Sequence, residues 1–225
     1  MQYFDVATFS DAVIRVGEKE FKTHRLILSS HSTFFSKMCT GNWKEADSGV
    51  ITLEEVDDAV VEAMIHFMYY FDYNNTQVIS SMVFNAQVYS LADKYVIPTL
   101  KNLAKEKFQA AIKTGWGMDD FPTAVAEVYN STPEGDRGLR DLVLEISGTN
   151  IKTLVQNGGF RNILRETPAF ATDIIVSGAV KSGQKTYRCP NCAENIQVEW
   201  SHGGYYYCIH CGNRRSDWAN YCVSG

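Results

Sequence analysis

The sequence has no apolar run that could cross a membrane, and it lacks the signals of an exported protein. No segment approaches the roughly eighteen consecutive apolar residues of a transmembrane helix. Residues 1–16 contain acidic and polar side chains and no positively charged start, so no secretory signal is predicted. We therefore expect an intracellular protein, in the nucleus or the cytoplasm, with no membrane partner.

Positive charge is also scarce. The formal net charge is −5 at pH 7, so a general electrostatic attraction to nucleic acid or to an acidic membrane surface is not expected. Residues 1–110 contain 10 Lys and Arg against 14 Asp and Glu, whereas the segment from residue 187 onward contains three of each sign. The C-terminal part is thus neutral rather than basic, which argues against nucleic acid as its partner.

Catalytic patterns are missing as well. The sequence shows no nucleophile with an adjacent base, no phosphate-binding glycine loop and no paired acids. What it does contain is 45% hydrophobic and 12% aromatic residues, which is enough for a packed core. These features predict a non-enzymatic globular protein of one or two domains, with room for a small added module.

Four of the six cysteines form two C-x-x-C pairs, Cys189 with Cys192 and Cys208 with Cys211, and fifteen residues separate the pairs. This spacing is typical of a zinc site, and without an export signal the metal interpretation ranks above two disulfides or a redox pair. Four thiolates close the coordination shell of a single structural Zn²⁺, whereas a catalytic zinc keeps an open position. A segment of about thirty residues also needs such a metal to fold.

The residues around the cysteine pairs predict β-structure. Apolar side chains alternate over residues 196–200, and a glycine turn leads into the tyrosines at 205–207. A single β-hairpin carrying both cysteine pairs is therefore expected, and this plan closely resembles a zinc ribbon.

The first half of the chain alternates short strands with helices. Residues 11–24 predict a β-hairpin that turns at Gly17-Glu18, and residues 50–53 predict a further strand. Two short helices are expected between them, with serines as candidate caps. Further apolar stripes at helical spacing occupy residues 60–68, 84–95, 100–112, 121–129 and 139–146.

An ordered set of residues runs through about the first 112 positions: Phe9-Ser10-Asp11, Phe21-x-x-His24-Arg25-x-x-Leu28, Ser32, Phe34-Phe35 and Tyr89-x-x-Ala92-Asp93-Lys94-Tyr95. In its order and spacing this set resembles the BTB/POZ family. The resemblance implies an α+β fold, a small sheet capped by helices, that acts through protein–protein contacts. It implies a structural role for His24, and it places Asp11 and Arg25 as a charged pair that lines a surface pocket, either architectural or functional.

Four segments follow from these patterns. Residues 1–113 are expected to form the BTB/POZ domain, and residues 114–183 a helical extension with a linker. Residues 184–215 are expected to form the four-cysteine zinc ribbon, and residues 216–225 a tail.

The start of the chain bears on dimerisation. Many BTB dimers exchange a helix that precedes the first core strand, but only about ten residues precede Asp11, too few for a helix and its connection. This argues against the usual homodimer. A monomer, a dimer through another surface, and a shortened chain all remain open.

Trp43-Lys44-Glu45 resembles the hydrophobic-x-Glu element of cullin-binding BTB adaptors. The resemblance implies that Trp43 and Glu45 bind a partner, because an exposed aromatic anchor beside a carboxylate is typical of interface hot spots. The alternative is a Trp packed in the core next to a solvated Glu.

Two functions are consistent with the whole pattern. In the first, the BTB region binds a cullin or another BTB protein, and the C-terminal part recruits a substrate for ubiquitin transfer. In the second, the chain is a nuclear scaffold or transcription-associated factor whose ribbon contacts nucleic acid or a chromatin partner. The neutral ribbon favours protein partners.

Overall fold

The computed structural model divides into two compact units, Met1–Thr167 and Pro168–Gly225. None of the described helices is both long and apolar enough to span a membrane. The residues that the structure describes are 3–41, 44–74, 80–182, 185–198 and 204–224.

The N-terminal unit starts with a three-stranded sheet made of β1 (Ala12–Val16), β2 (Lys19–Thr23) and β3 (Val50–Thr52), in the order β2-β1-β3. β1 pairs antiparallel with β2 and parallel with β3. Every second residue of β1 is buried, as expected for a strand with one face on the core. Gly17 makes the hairpin turn at φ +55°, a conformation that favours glycine. The predicted hairpin and returning strand are confirmed.

Ten helices are described in the same unit. The side chains of Ser32 and Asp57 cap the second and fourth helices by accepting the backbone N–H groups of Phe35 and Ala59. The helices are α1 (Arg25–His31), α2 (Thr33–Thr40), α3 (Lys44–Ser48), α4 (Asp58–Tyr70), α5 (Ser81–Lys94), α6 (Pro98–Gly115), α7 (Phe121–Ser131), α8 (Arg137–Thr149), α9 (Ile151–Leu154) and α10 (Gly158–Glu166).

The core of this unit lies among α4, α5 and α6 and continues into the helices that follow. Phe108 of α6 is fully buried, and so are Phe121 and Val125 of α7. α7 packs against α5, and α8 packs against α6. The helices α7 to α10 therefore share one compact unit with the α+β domain before them.

A polar cluster joins α8 to α5 and α6. The Asp136 carboxylate accepts hydrogen bonds from the Tyr89 hydroxyl, the Lys101 ammonium and the backbone N–H of Gly138, at 2.7, 2.7 and 2.9 Å. A Cβ on Gly138 would lie 2.1 Å from the Tyr89 hydroxyl oxygen, so only glycine allows this approach. We call these four residues the Asp136 cluster.

The described residues of the C-terminal unit form one α-helix, a short 3₁₀ helix and two small sheets. The helix, α11 (Pro168–Ser182), ends one residue before the end of the predicted helical extension and linker, residues 114–183. β4 (Lys185–Arg188) lies between β5 (Asn195–Val198) and β8 (Cys222–Ser224), while β6 (Tyr206–Tyr207) pairs with β7 (Arg214–Arg215); all these pairs are antiparallel.

This strand pairing differs from the expected single hairpin. β4 and β5 form one hairpin, β6 and β7 form a second, and each turn contains one C-x-x-C pair. The physical reason is that each C-x-x-C segment itself reverses the chain direction. Residues 199–203, which include part of the predicted strand, lie outside the described residues.

The residues predicted as a tail complete the module instead. Trp218 begins a one-turn 3₁₀ helix (Trp218–Tyr221), is 2% exposed, and donates its indole N–H to the carbonyl oxygen of Tyr206 at 3.0 Å. The strand β8 then adds to the edge of β4. The small core of the module consists of Tyr187, Cys189, Ile196, Cys208 and Trp218.

Candidate functional site

The two C-x-x-C turns have the same backbone geometry. In the first, the N–H of Ala193 donates to the carbonyl of Cys189 at 2.8 Å, and in the second Gly212 donates to Cys208 at the same distance. Ala193 and Gly212 both adopt positive φ, at 61° and 69°. Glycine suits this conformation and alanine adopts it at a cost of about 1 kcal/mol, which the rest of the turn must offset.

These turns bring four sulfur atoms together. The Sγ atoms of Cys189, Cys192, Cys208 and Cys211 all lie within 4.8 Å of one another. The Cys189–Cys211 and Cys192–Cys208 separations are both 3.7 Å. A tetrahedral zinc with Zn–S bonds of about 2.3 Å requires sulfurs about 3.8 Å apart. The cluster therefore fits one tetrahedral metal ion.

The surroundings of the sulfurs favour the thiolate at Cys189 and Cys211 but disfavour it at Cys192. Burial raises the pKa of the Cys189 thiol, but the N–H groups of Cys192 and Asn191 lower it to about 6. The side-chain amide of Asn191, 3.4 Å from the sulfur of Cys211, lowers the pKa of that thiol. The N–H of Glu194 favours the Cys192 thiolate, yet burial and the other three sulfurs raise the pKa of Cys192 to about 12. Adjacent thiolates repel one another, so full ionisation needs a bound cation.

The donor set also indicates the kind of site. Among the described residues, the cluster contains sulfur donors alone, with no carboxylate or imidazole. Four thiolates fill a tetrahedral shell, and a filled shell holds structure together rather than activating water. This agrees with the sequence-based expectation of a structural module.

Sequence reasoning missed three features of this module. Asn191 reaches across to the second hairpin through its bond to Cys211, and Trp218 seals the core. Arg214 of β7 lies over the rings of Tyr205 and Tyr207 on an exposed surface. The sequence did contain a signal for this surface, namely two adjacent arginines at 214 and 215 that follow the tyrosine-rich segment 205–207.

The second candidate site is the segment around α3. Trp43 lies outside the described residues. Glu45 is half-buried in the first turn of α3, and its carboxylate has no hydrogen bond or ion pair to any described residue. The carboxylate is thus free for a partner.

Arg25 fixes the position of α3. Its guanidinium donates to the backbone carbonyls of Asp11, Cys39 and Ala46, at 3.0, 3.2 and 2.7 Å. Gly49 closes the helix at φ +70°, where a Cβ would meet the Asp11 carbonyl and the Arg25 guanidinium at 3.2 and 3.3 Å. Arg25 therefore ties β1, α2 and α3 together.

Asp11 and Arg25 do not form an ion pair between their side chains in the described part of the chain. The Asp11 carboxylate instead accepts the backbone N–H of Arg25 at 2.8 Å. Asp11 lines a surface pocket of about 330 Å³ together with His24 and Tyr69, while Arg25 is not among the lining residues. The sequence left an architectural and a functional role open for Asp11 and Arg25. The contacts of Arg25 support the architectural role.

His24 has both ring nitrogens engaged. Nε2 lies 3.1 Å from the carbonyl oxygen of Thr8, which can only accept, so Nε2 donates. Nδ1 lies 2.6 Å from the Tyr69 hydroxyl. His24, which lies between β2 and α1, thus connects Thr8 to α4, and this agrees with a structural histidine.

Comparison with known proteins identifies the family of the first half of the chain. The family model for the BTB/POZ domain matches residues 1–112. The chain is 42% identical over 62 residues to human Kelch repeat and BTB domain-containing protein 4, which is 28% of this chain and 12% of that protein. It is 37% identical over 95 residues to BTB and MATH domain-containing protein 42 of Caenorhabditis elegans, 42% of this chain and 22% of that protein. The chain thus spans less than a quarter of either relative.

Solved structures include similar domains. The BTB domain of human Gigaxonin is 19% identical, with a TM-score of 0.37, over 44% of this chain and 78% of that chain. The BTB domain of zebrafish PATZ1 is 16% identical, with a TM-score of 0.35, over 45% of this chain and 77% of that chain.

Proposed function

Residues 1–112 form a BTB/POZ domain, and we propose that the chain is a non-enzymatic adaptor whose first unit binds a cullin-type scaffold and whose second unit recruits a substrate. The observation that carries this proposal is the presence of two separate compact units, one with the BTB/POZ domain and one with a four-thiol cluster. Each unit can then bind its own protein.

The scaffold-binding residues are Trp43 and Glu45. Support comes from the Glu45 carboxylate, which no described residue binds, on a short helix that Arg25 holds against the sheet. A carboxylate in a fixed position can orient a partner as well as attract it. Arg25 then serves binding indirectly, because it positions the helix.

A structural Zn²⁺ is the metal that suits the second unit. The ion would bind to Cys189 and Cys192 of the first hairpin and to Cys208 and Cys211 of the second. Soft thiolate donors in a tetrahedral arrangement suit zinc. The ion would cross-link the two hairpins and neutralise the thiolates. Its role is to hold the binding surfaces of the module in place.

A binding assay with purified cullin tests the scaffold function. We expect Glu45→Lys to weaken the complex about tenfold, equal to about 1.4 kcal/mol. Asp47→Lys is the matched control, because Asp47 is exposed on the same helix and carries the same charge. The control should change the affinity by less than about twofold.

Two outcomes would contradict the expected result. Equal losses for both variants would indicate general charge attraction instead of a specific contact. No binding of the unaltered protein to any cullin at micromolar concentration would refute the adaptor function and leave a BTB protein with other partners. Isothermal titration calorimetry gives these affinities directly.

A second candidate function is a nuclear scaffold whose zinc module contacts nucleic acid or chromatin. The observation that favours it is the pair of exposed rings at Tyr205 and Tyr207, which could stack on bases. Since the module is nearly neutral, we expect binding to duplex DNA no tighter than about 10⁻⁴–10⁻⁶ M at physiological salt. A sub-micromolar, sequence-dependent complex would establish this function instead.

A further inference from the structure

The two arginines of β7 have different surroundings. β6 and β7 pair Tyr206 with Arg215 and Tyr207 with Arg214, and because strand side chains alternate, the two arginines lie on opposite faces. Arg215 donates to both carboxylate oxygens of Asp217, at 2.7 and 2.8 Å. The bonding capacity of Arg215 is therefore used within the module.

Arg214 lies on the other face with two tyrosines. The centre of its guanidinium is 4.4 Å from the ring centroid of Tyr205 and 5.7 Å from that of Tyr207. The rings attract the cation and hold it in place. Among the described residues the side chain of Arg214 makes no hydrogen bond or ion pair, so its guanidinium N–H donors are free for a partner. We call these three residues the Arg214 face.

The Arg214 face has the composition of a binding hot spot. Tyr205 and Tyr207 are 63% and 59% exposed, and Ile209 in the adjoining turn is 73% exposed. Tyrosine and arginine dominate the binding energy of protein interfaces, and an exposed aliphatic side chain adds apolar area. A planar guanidinium binds a carboxylate or a phosphate through two parallel hydrogen bonds.

The remaining charges of the module decide between these two anions. Residues 185–224 contain four Lys and Arg and three Asp and Glu. Arg215 is paired with Asp217, and Arg188 donates to the carbonyl of Ala193. Nucleic-acid binding relies on several cationic contacts along a phosphate backbone, which this module does not offer. One free guanidinium between aromatic rings fits a single carboxylate.

We propose that the Arg214 face binds an acidic peptide segment of a protein partner. An Asp or Glu carboxylate of the peptide accepts the N–H groups of Arg214, and a neighbouring apolar side chain packs against Tyr205 and Tyr207. This inference rests on the proposed function in taking the C-terminal unit as the recruiting part. It adds to that function the chemical class of the segment that the C-terminal unit binds.

Selection from a library of short random peptides, displayed on phage, tests the proposal with the zinc-loaded full-length protein. We expect the enriched peptides to combine Asp or Glu with an aromatic or aliphatic residue. Fluorescence anisotropy with a synthetic copy of an enriched peptide should show that Arg214→Gln weakens binding about tenfold or more.

Three further variants make the result specific. Lys185→Gln removes the same charge from an exposed position of β4 and should change the affinity by less than about twofold. Arg214→Lys keeps the charge but loses the planar fork, so it should give an intermediate loss. A peptide with Asn and Gln in place of Asp and Glu should bind as weakly as Arg214→Gln does. An unchanged zinc content shows that each variant is folded.

Several results would overturn the proposal. They are the absence of any enriched peptide, enriched peptides without acidic residues, and equal binding to Arg214→Gln and to the unaltered protein. Tighter binding of an oligothymidine than of any peptide, lost in Arg214→Gln, would assign the face to nucleic acid. The cullin assay with Glu45 probes the other unit, so a failure there would leave these results unaffected.

Discussion

The two units differ in what keeps them folded. The N-terminal unit buries apolar side chains from both its sheet and its helices, including Phe35, Met64, Phe108 and Phe121. Among the described residues, the four-cysteine module has a core of five buried residues, and two of them are cysteines of the cluster. We therefore expect the first unit to fold on the hydrophobic effect alone, whereas the second should need a bound metal to close its core.

This difference has a functional consequence. A unit with its own apolar core should remain folded without the metal, so under the proposed function scaffold binding should be independent of zinc. A module that folds around zinc would present the Arg214 face only while the metal is bound. Under that proposal, substrate recruitment would be the metal-dependent half of the function.

The largest expected effect is the loss of the module on removal of the metal. Cys208→Ser removes one thiolate, and structural zinc contributes about 10–16 kcal/mol to the folding of small modules. We expect residues 185–224 to unfold while the N-terminal unit keeps its melting temperature. Metal analysis and backbone NMR of the full chain measure both effects.

Cys222→Ser is the control for this experiment, because Cys222 is exposed and lies outside the four-cysteine cluster. This variant should keep one zinc per chain. A protein without zinc, or a module that keeps its NMR spectrum in the presence of a strong chelator, would contradict the proposed dependence on metal.

The second prediction perturbs the apolar core of the N-terminal unit and leaves the four-cysteine module unchanged. Phe108→Ala removes a fully buried ring from the N-terminal unit and should lower its stability by about 3–5 kcal/mol. Thermal unfolding followed by circular dichroism measures this loss, and the zinc content should stay the same. Leu26→Ala, at a side chain that is 78% exposed, should change the stability by no more than about 0.5 kcal/mol. A loss of zinc in Phe108→Ala would show that the units do not fold independently.

The sequence was sufficient to predict features that local chemistry determines. The serine cap at Ser32, the hairpin turn at Gly17 and the spacing of the four cysteines each depend on a few neighbouring residues. Local rules of this kind need no knowledge of distant contacts.

Other features depend on contacts that no local pattern encodes. Apolar alternation marks β5 and β6 as strands, but a period of two does not say which strand pairs with which. The bonds of Arg25 to three backbone carbonyls depend on where β1, α2 and α3 meet in space. Trp218 follows no periodic stripe, so its burial in the module could not be predicted.

The third prediction concerns how the helical extension is joined to the BTB/POZ domain. Gly138→Ala should lower the stability of the N-terminal unit by about 1–3 kcal/mol, because the new Cβ would displace Tyr89 from Asp136. Alanine normally favours a helix over glycine, so a loss would be the opposite of the usual effect. Chemical denaturation provides the measurement.

Gly135→Ala is the matched control, since a Cβ at Gly135 meets no atom within 4 Å. Its stability should be unchanged or slightly higher. Equal behaviour of the two variants would mean that the close approach of Gly138 to Tyr89 contributes nothing to the attachment of α8.

The smallest expected effect distinguishes the two units by their response to acid. Burial raises the pKa of the Asp136 carboxyl, but Lys101, the N–H of Gly138 and Tyr89 together lower it below its ordinary value of 3.8. A carboxyl with a lowered pKa in the folded state stabilises the protein above the unfolded value, and this contribution is lost as the pH falls through the folded value. The loss of stability from the Asp136 cluster should thus occur below about pH 4.

The zinc module should respond at a higher pH, because protons compete with the metal for its thiolates. An acid titration followed by NMR should therefore show the module unfolding first and the N-terminal unit weakening later. Asp136→Asn should remove the later change, whereas Asp93→Asn, at an exposed carboxylate that also binds Lys101, should largely keep it. If both units lost their structure at one pH, or if Asp136→Asn left the acid response unaltered, the Asp136 cluster would not be the titrating group.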